Sequence, residues 1–207
     1  WAPFSDTWYS WDILHIVDLW VWGALAACGG AAVLGRLISG EIGARPGTGR
    51  GWAVAALAFV VLWCGGRALL HRRAVGMLEA HNYGFEGDRA APLRVAAFPG
   101  PTNPFVWRGL VETDGLYQVL VVRVLEPLDA TRGEVHYKPE RSAVLETALG
   151  TRTAREFARF ARYPAVRVEG SGVVLTDFRF WRERREAFVC TIALDDAGRV
   201  VGERFRY

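Results

Sequence analysis

Three side chains near the start of the chain have the types and the spacing to do chemistry together. Asp12, His15 and Asp18 recur at i, i+3 and i+6, where an apolar stretch opens. On a helix that spacing spreads them over roughly 120° of arc, so neighbouring members could share one ion or one water molecule. Carboxylate oxygen with imidazole nitrogen suits zinc, manganese or iron. Three groups are too few to close a metal site, so further ligands would have to come from elsewhere. The structural alternative is that Asp12 caps or solvates the helix start, His15 is interfacial, and Asp18 pairs with an arginine of another helix. An ionisable group entering an apolar helix costs roughly a few kcal/mol, so Asp18 needs a partner, a polar cavity or an ion on either reading.

The other reactive side chains are scattered. His71, His81 and His136 are isolated, and His71 beside Arg72 and Arg73 suits a headgroup contact. Cys28, Cys64 and Cys190 show no CxxC spacing and read as buried free thiols. Glu183 and Glu186 among Arg182, Arg184 and Arg185 read as a solvated charged loop. No GxSxG elbow, phosphate-cradling glycine loop or HExxH pair is present.

The elements that must position these residues fall into two parts. Residues 14–38 and 51–70 are apolar, and each is about long enough to cross a hydrocarbon core of roughly 30 Å as a helix. Two transmembrane helices are expected at about 12–38 and 51–72, the first beginning near Trp11. Gly40, Gly43, Pro46, Gly47 and Gly49 make the connector of an antiparallel hairpin, and residues 71–83 can carry the second helix out of the membrane. Gly23, Gly29, Gly30 and Gly35, with Gly65 and Gly66, supply small surfaces for close helix approach. Trp20, Trp22, Trp52 and Trp63 read as interfacial or packing aromatics. Arg36, Arg45 and Arg50 at one end balance Arg67, Arg72 and Arg73 at the other, so the positive-inside count leaves orientation open.

Residues 1–83 thus read as a membrane region and 84–207 as a soluble α+β domain with an antiparallel sheet. Short strands are expected at 93–98, at 105–112 and at 116–125, the last two joined by Thr113-Asp114-Gly115 as a hairpin. Residues 142–163 carry Leu145, Leu149, Phe157 and Phe160 near helical spacing, with Gly150-Thr151 able to split the helix and Thr151 or Thr153 to cap its second half. Further strands are expected at 172–181 and 187–194, and Asp195-Asp196-Ala197-Gly198 turns the chain into 199–207.

The net charge of +3 comes almost wholly from arginine, since Lys138 is the one lysine, and the arginines are interspersed with acids. That pattern is no nucleic-acid footprint. Trp1 is not an initiator methionine and no signal-peptide pattern comes after it, which leads us to expect a fragment truncated upstream.

Two segments carry a family resemblance. Pro3-Phe4-Ser5-Asp6-Thr7-Trp8-Tyr9, with Asp12-Ile13-Leu14-His15-Ile16-Val17-Asp18, resembles the "PFS…(G)D-x-x-F-I-x-D-P" segment of the predicted inner-membrane metal-dependent hydrolases of the YdjM/YbcI type. Pro101-Thr102-Asn103-Pro104-Phe105-Val106-Trp107-Arg108, with Tyr117 further on, resembles the "P-x-N-P-x-x-W-R…Y" signature opening that family's C-terminal domain. The resemblance implies a polytopic protein of the bacterial inner membrane whose upstream helices carry a His-Arg-x-x-Thr-His type motif, completing a site with Asp18. Leu19 departs from the family's proline, and His15 stands at an apolar position, so no ligand role passes to His15.

On this reading Asp18 ligates a divalent metal, zinc or manganese, that lowers the pKa of bound water, and Asp12 orients that water or a neighbouring ligand. Arg108 and Asn103 are the candidate substrate-binding residues, Arg108 as a clamp on an anionic group. The plainer reading of the same residues is an Asn-Pro turn locked by Trp107. The substrate expected is a lipid-linked or amphipathic ester or phosphoester, membrane lipid is the expected partner, and the fragment alone should be inactive. The competing class is a non-enzymatic, membrane-anchored interaction module whose sheet binds a protein or envelope component.

Overall fold

The computed structural model describes residues 10–43, 45, 47–83, 92–182, 185–186 and 188–206. The leader motif at 3–9 and the Glu183–Arg184 part of the charged loop lie outside the described residues.

The first apolar stretch forms α1 (Leu19–Glu41) and the second forms α2 (Arg50–Glu79). The start of α1 corrects the sequence expectation by about two turns. Asp12 has φ 47°, a left-handed conformation that a helix cannot contain, and Asp18 is the residue that opens the helix. Asp18 Oδ1 accepts from the backbone N–H of Trp20 at 3.1 Å and of Val21 at 3.3 Å, satisfying two of the amides that a helix leaves open. Asp12 and His15 therefore lie outside the helix, and the shared-face argument for the triplet does not hold.

Gly49, at φ 70°, adopts the left-handed backbone that turns the connector into α2. Both helices are long and apolar enough to cross a membrane. No residue of α1 is buried: the side facing α2 is partly covered, and Trp22, Leu25, Val33, Leu34, Leu37 and Ile38 are exposed. A helix apolar all round with no buried residue is unlike a soluble core helix and fits association with a membrane.

Beyond the helices are two four-stranded sheets. The first has order β1-β2-β3-β4, with β1 (Arg94–Pro99), β2 (Val106–Glu112), β3 (Leu116–Arg123) and β4 (Glu134–Tyr137). The β2–β3 hairpin forms at the Thr113-Asp114-Gly115 signal, whereas β4 is too short to show a period. The second sheet has order β10-β9-β6-β5, all antiparallel, built from β5 (Pro164–Glu169), β6 (Gly172–Asp177), β9 (Val189–Leu194) and β10 (Val200–Arg206). Between β6 and β9 the two-residue strands β7 (Trp181–Arg182) and β8 (Arg185–Glu186) pair with each other. Helices α3 (Ala143–Leu149) and α4 (Arg152–Phe160) split at Gly150-Thr151, and the Thr151 side chain caps α4 through Ala154 N–H.

By its contacts the chain divides into two units. One comprises residues 10–113 and 118–134; the described part of the other comprises 114–117 and 135–206. In the first unit α2 runs on past its apolar span, and Ala74 and Leu78 join Ala97, Trp107, Val111, Leu120, Val122 and Val124 in a core. Tyr83 closes it, its hydroxyl donating to Leu78 O at 2.8 Å, and burial pushes that phenol up to about 12. In the second unit α3 and α4 cover the second sheet around Leu145, Phe157, Val173, Leu175, Cys190 and Ile192.

Candidate functional site

Asp18 and the Asn103–Trp107 segment meet around a residue that the sequence did not single out as a site, Arg67 of α2. Arg67 is 1 % exposed, although it stands in a helix otherwise apolar for five turns. Its Nε donates to Ile13 O at 3.1 Å and its Nη1 to Pro104 O at 3.0 Å. Its guanidinium lies over the Trp107 ring, 4.4 Å from the centroid. Stacking suits a flat, weakly hydrated cation, and it leaves the in-plane N–H groups pointing at acceptors. Asp18, itself 4 % exposed, acts on Arg67 through its charge.

The Pro101–Trp107 segment wraps this group. Asn103 Oδ1 accepts from Phe105 N–H at 2.9 Å, an Asx turn that makes the loop double back. Trp107, 1 % exposed, donates from Nε1 to Pro104 O at 3.0 Å, so Pro104 O receives both the indole and the guanidinium. The loop is tied to α1 as well: Trp20 Nε1 donates to Thr102 O at 2.7 Å and Leu19 N–H to Pro101 O at 3.4 Å. The segment that looked like a site signature is thus the clasp between hairpin and sheet.

Arg108, next along, faces another way: its guanidinium lies over the Phe98 ring at 5.1 Å. Asn103 is exposed and Arg108 half-buried. Asp12 is half-buried and accepts from Ser10 Oγ at 2.5 Å. His15 Nδ1 closes a local turn with the backbone of Val17. The structure therefore brings Asp18 together with the Asn103–Trp107 loop through Arg67, and leaves Asp12 and Arg108 in separate local arrangements.

Among the described residues no three His, Cys, Asp or Glu side chains come together to hold a metal ion. Asp18 meets two amides through one oxygen and has a guanidinium for a neighbour, so a divalent ion there would sit beside a fixed cation. The described residues do not fit the expected metal. Two enclosed donors of α2, Arg67 Nη2 and Trp63 Nε1, have no hydrogen-bond partner among them.

A second polar centre has no counterpart in the sequence pattern. Asp177, fully buried at the end of β6, accepts from the backbone N–H of Arg162 and Arg179 and from the Arg179 guanidinium at 2.8 Å. Nothing in the local pattern marks it, because one of its donors, Arg162 N–H, comes from between α4 and β5, 15 residues away. These bonds fix the end of α4 to β6, a structural task.

No family model, no curated protein and no solved structure matches this chain.

Proposed function

We propose that the protein is an integral protein of a bacterial inner membrane in which a helical hairpin anchors an α+β interaction module at the membrane surface. The observation that carries this reading is the arrangement around Arg67. Arg67 uses Nε, Nη1 and the face of its guanidinium, and Asp18 uses Oδ1, in holding the start of α1, α2 and the 101–107 loop together. A buried charged group whose partners are backbone carbonyls, a ring and one carboxylate acts as a clasp.

Metal-dependent hydrolysis of a lipid-linked or amphipathic ester is the second reading. It is favoured by one observation, that both capping bonds to Asp18 fall on Oδ1. It needs ligands beyond the described residues.

The two readings separate in lipid nanodiscs carrying the full in-frame protein, by metal analysis after zinc or manganese loading. The anchored module predicts no stoichiometric metal. It also predicts that Asp18→Asn, which keeps a capping oxygen but removes the counter-charge of Arg67, costs about 1–3 kcal/mol, whereas Arg67→Ala, which strands Asp18 and two carbonyls and removes the stacked side chain, costs about 3–5 kcal/mol. One equivalent of metal, abolished by Asp18→Asn, would overturn the module in favour of the hydrolase.

A further inference from the structure

At the connector end of the hairpin lies a groove of about 610 Å³, formed by α1, the connector and the start of α2. Arg36 of α1 and Arg50 at the first position of α2 both line it, and no Asp or Glu is among its described walls. The helices bring the two cations together. A methyl group added at Gly49 would stand 3.9 Å from Arg36 Nη2 and 3.6 Å from Ala32 Cβ, so the guanidinium of α1 reaches across to the residue just before Arg50. Both arginines are exposed, and neither guanidinium makes a hydrogen bond or an ion pair among the described residues. Glu41, the nearest acid along the chain to either, is exposed and does not line the groove.

The remaining walls are of two kinds. Ser39 and Thr48 bring hydroxyls, and Trp52 brings an indole of the sort that settles at headgroup level. Ala31, Ala32 and Ala55 bring small apolar surface from both helices. These alanines are four or five residues further into their spans than Arg36 and Arg50, about 6–8 Å along the helix axes. The groove is therefore cationic at the end of the hairpin and apolar towards its middle, the polarity of an amphiphile with an anionic head.

We propose that this groove binds an anionic phospholipid, its phosphate between Arg36 and Arg50 and the start of an acyl chain against the small residues. The proposal rests on the membrane-anchored reading given above. Guanidinium groups match phosphate oxygens with paired donors, and a basic pocket between membrane helices suits an anionic headgroup. A zwitterionic headgroup would bring a cation that no acid in the walls receives, and a free phosphate ion would leave the apolar walls unused.

Native mass spectrometry of the full chain released from detergent micelles tests this by counting bound lipids. Phosphatidylglycerol is expected to give a saturable first adduct, tighter than phosphatidylcholine with the same acyl chains, that excess ammonium phosphate does not displace. Arg36→Gln and Arg50→Gln should each weaken that adduct about fivefold, the effect of one basic residue at an anionic membrane surface. Arg45→Gln, in the same connector but outside the groove, should have a clearly smaller effect. Gly35→Leu, which fills the groove and keeps both charges, should also weaken the adduct; a Cβ at Gly35 meets nothing within 4 Å, so the helix has room for it. Equal binding of the two lipids, displacement by free phosphate, or an Arg45→Gln effect as large as those of the groove arginines overturns the proposal, the last by reducing it to diffuse surface charge. Should Gly35→Leu disturb the hairpin, the three exposed arginines decide it. A chain that stays out of the detergent phase of Triton X-114 would instead overturn the membrane reading itself, so the two failures are told apart.

Discussion

At the scale of single residues, what a side chain does here is set by the partner across from it more than by its type. Asp18 and Asp12 are six residues apart, yet one caps a helix beside a guanidinium and the other closes a turn in left-handed backbone. Arg67 is one of several arginines near the end of the second span, and burial under Trp107 with its bonds to Ile13 O and Pro104 O sets it apart from the exposed Arg72 and Arg73. Cys190 shows the same dependence with a measurable consequence. Burial in the second sheet, and then the nearby Glu203, push its thiol up to about 11 from an ordinary value near 9. Because the folded pKa is the higher one, the thiol's contribution is complete below about pH 9 and is lost as pH rises towards about 11. Tyr83 acts in the same direction at still higher pH. A maleimide at pH 8 should therefore leave Cys190 unlabelled until denaturant is added, and unfolding midpoints should fall across that alkaline window. Labelling of the native chain at the rate of a free thiol would contradict the buried placement.

At the scale of elements, turns and caps are legible in the sequence while helix ends and packing contacts are not. The Asp-Gly hairpin, the Gly150-Thr151 break with its Thr151 cap and the Asp195–Gly198 turn are local, each needing only a few neighbouring residues, and each forms where expected. The start of α1 differs from expectation because apolarity continues through Ile13, Leu14, Ile16 and Val17, and hydropathy carries no information on backbone φ. Strand β4, four residues long, is held by its neighbour in the sheet, so no period announces it.

The contact of α2 with β2 is likewise beyond local signals, and Gly109 decides it. A methyl group there would stand 2.9 Å from both Leu78 methyls and 3.0 Å from Val122 Cγ2. Leu78 is fully buried and has nowhere to swing. Gly109→Ala should cost about 1–3 kcal/mol in denaturant titrations, the usual effect of an overfilled core. In a Leu78→Ala background the same change should be close to neutral, and an equal cost in both backgrounds would show that the contact is not what limits the position.

At the scale of the whole molecule, the two units have separate cores and different relations to solvent. The second unit covers its sheet with α3 and α4. In the first, only the end of α2 reaches a core, and α1 together with most of α2 presents Leu, Val, Trp and Ile side chains outward. An apolar surface of that extent is unstable in water. The chain should partition into the detergent phase on clouding of a Triton X-114 solution and aggregate when detergent is withdrawn. Recovery as a monodisperse protein without detergent would rule out membrane association.

The sequence by itself determined the presence of two span-length apolar helices, the positions of the main turns and the α+β character of the chain beyond the helices, because periodicity, turn chemistry and apolar length act over a few residues to a few turns. Only the tertiary structure decided that the Asn103–Trp107 motif is a clasp, that Arg67 is its centre, and that Arg36 and Arg50 line one groove. Those relations join residues far apart along the chain, and burial and charge pairing at that range depend on which surfaces meet in three dimensions.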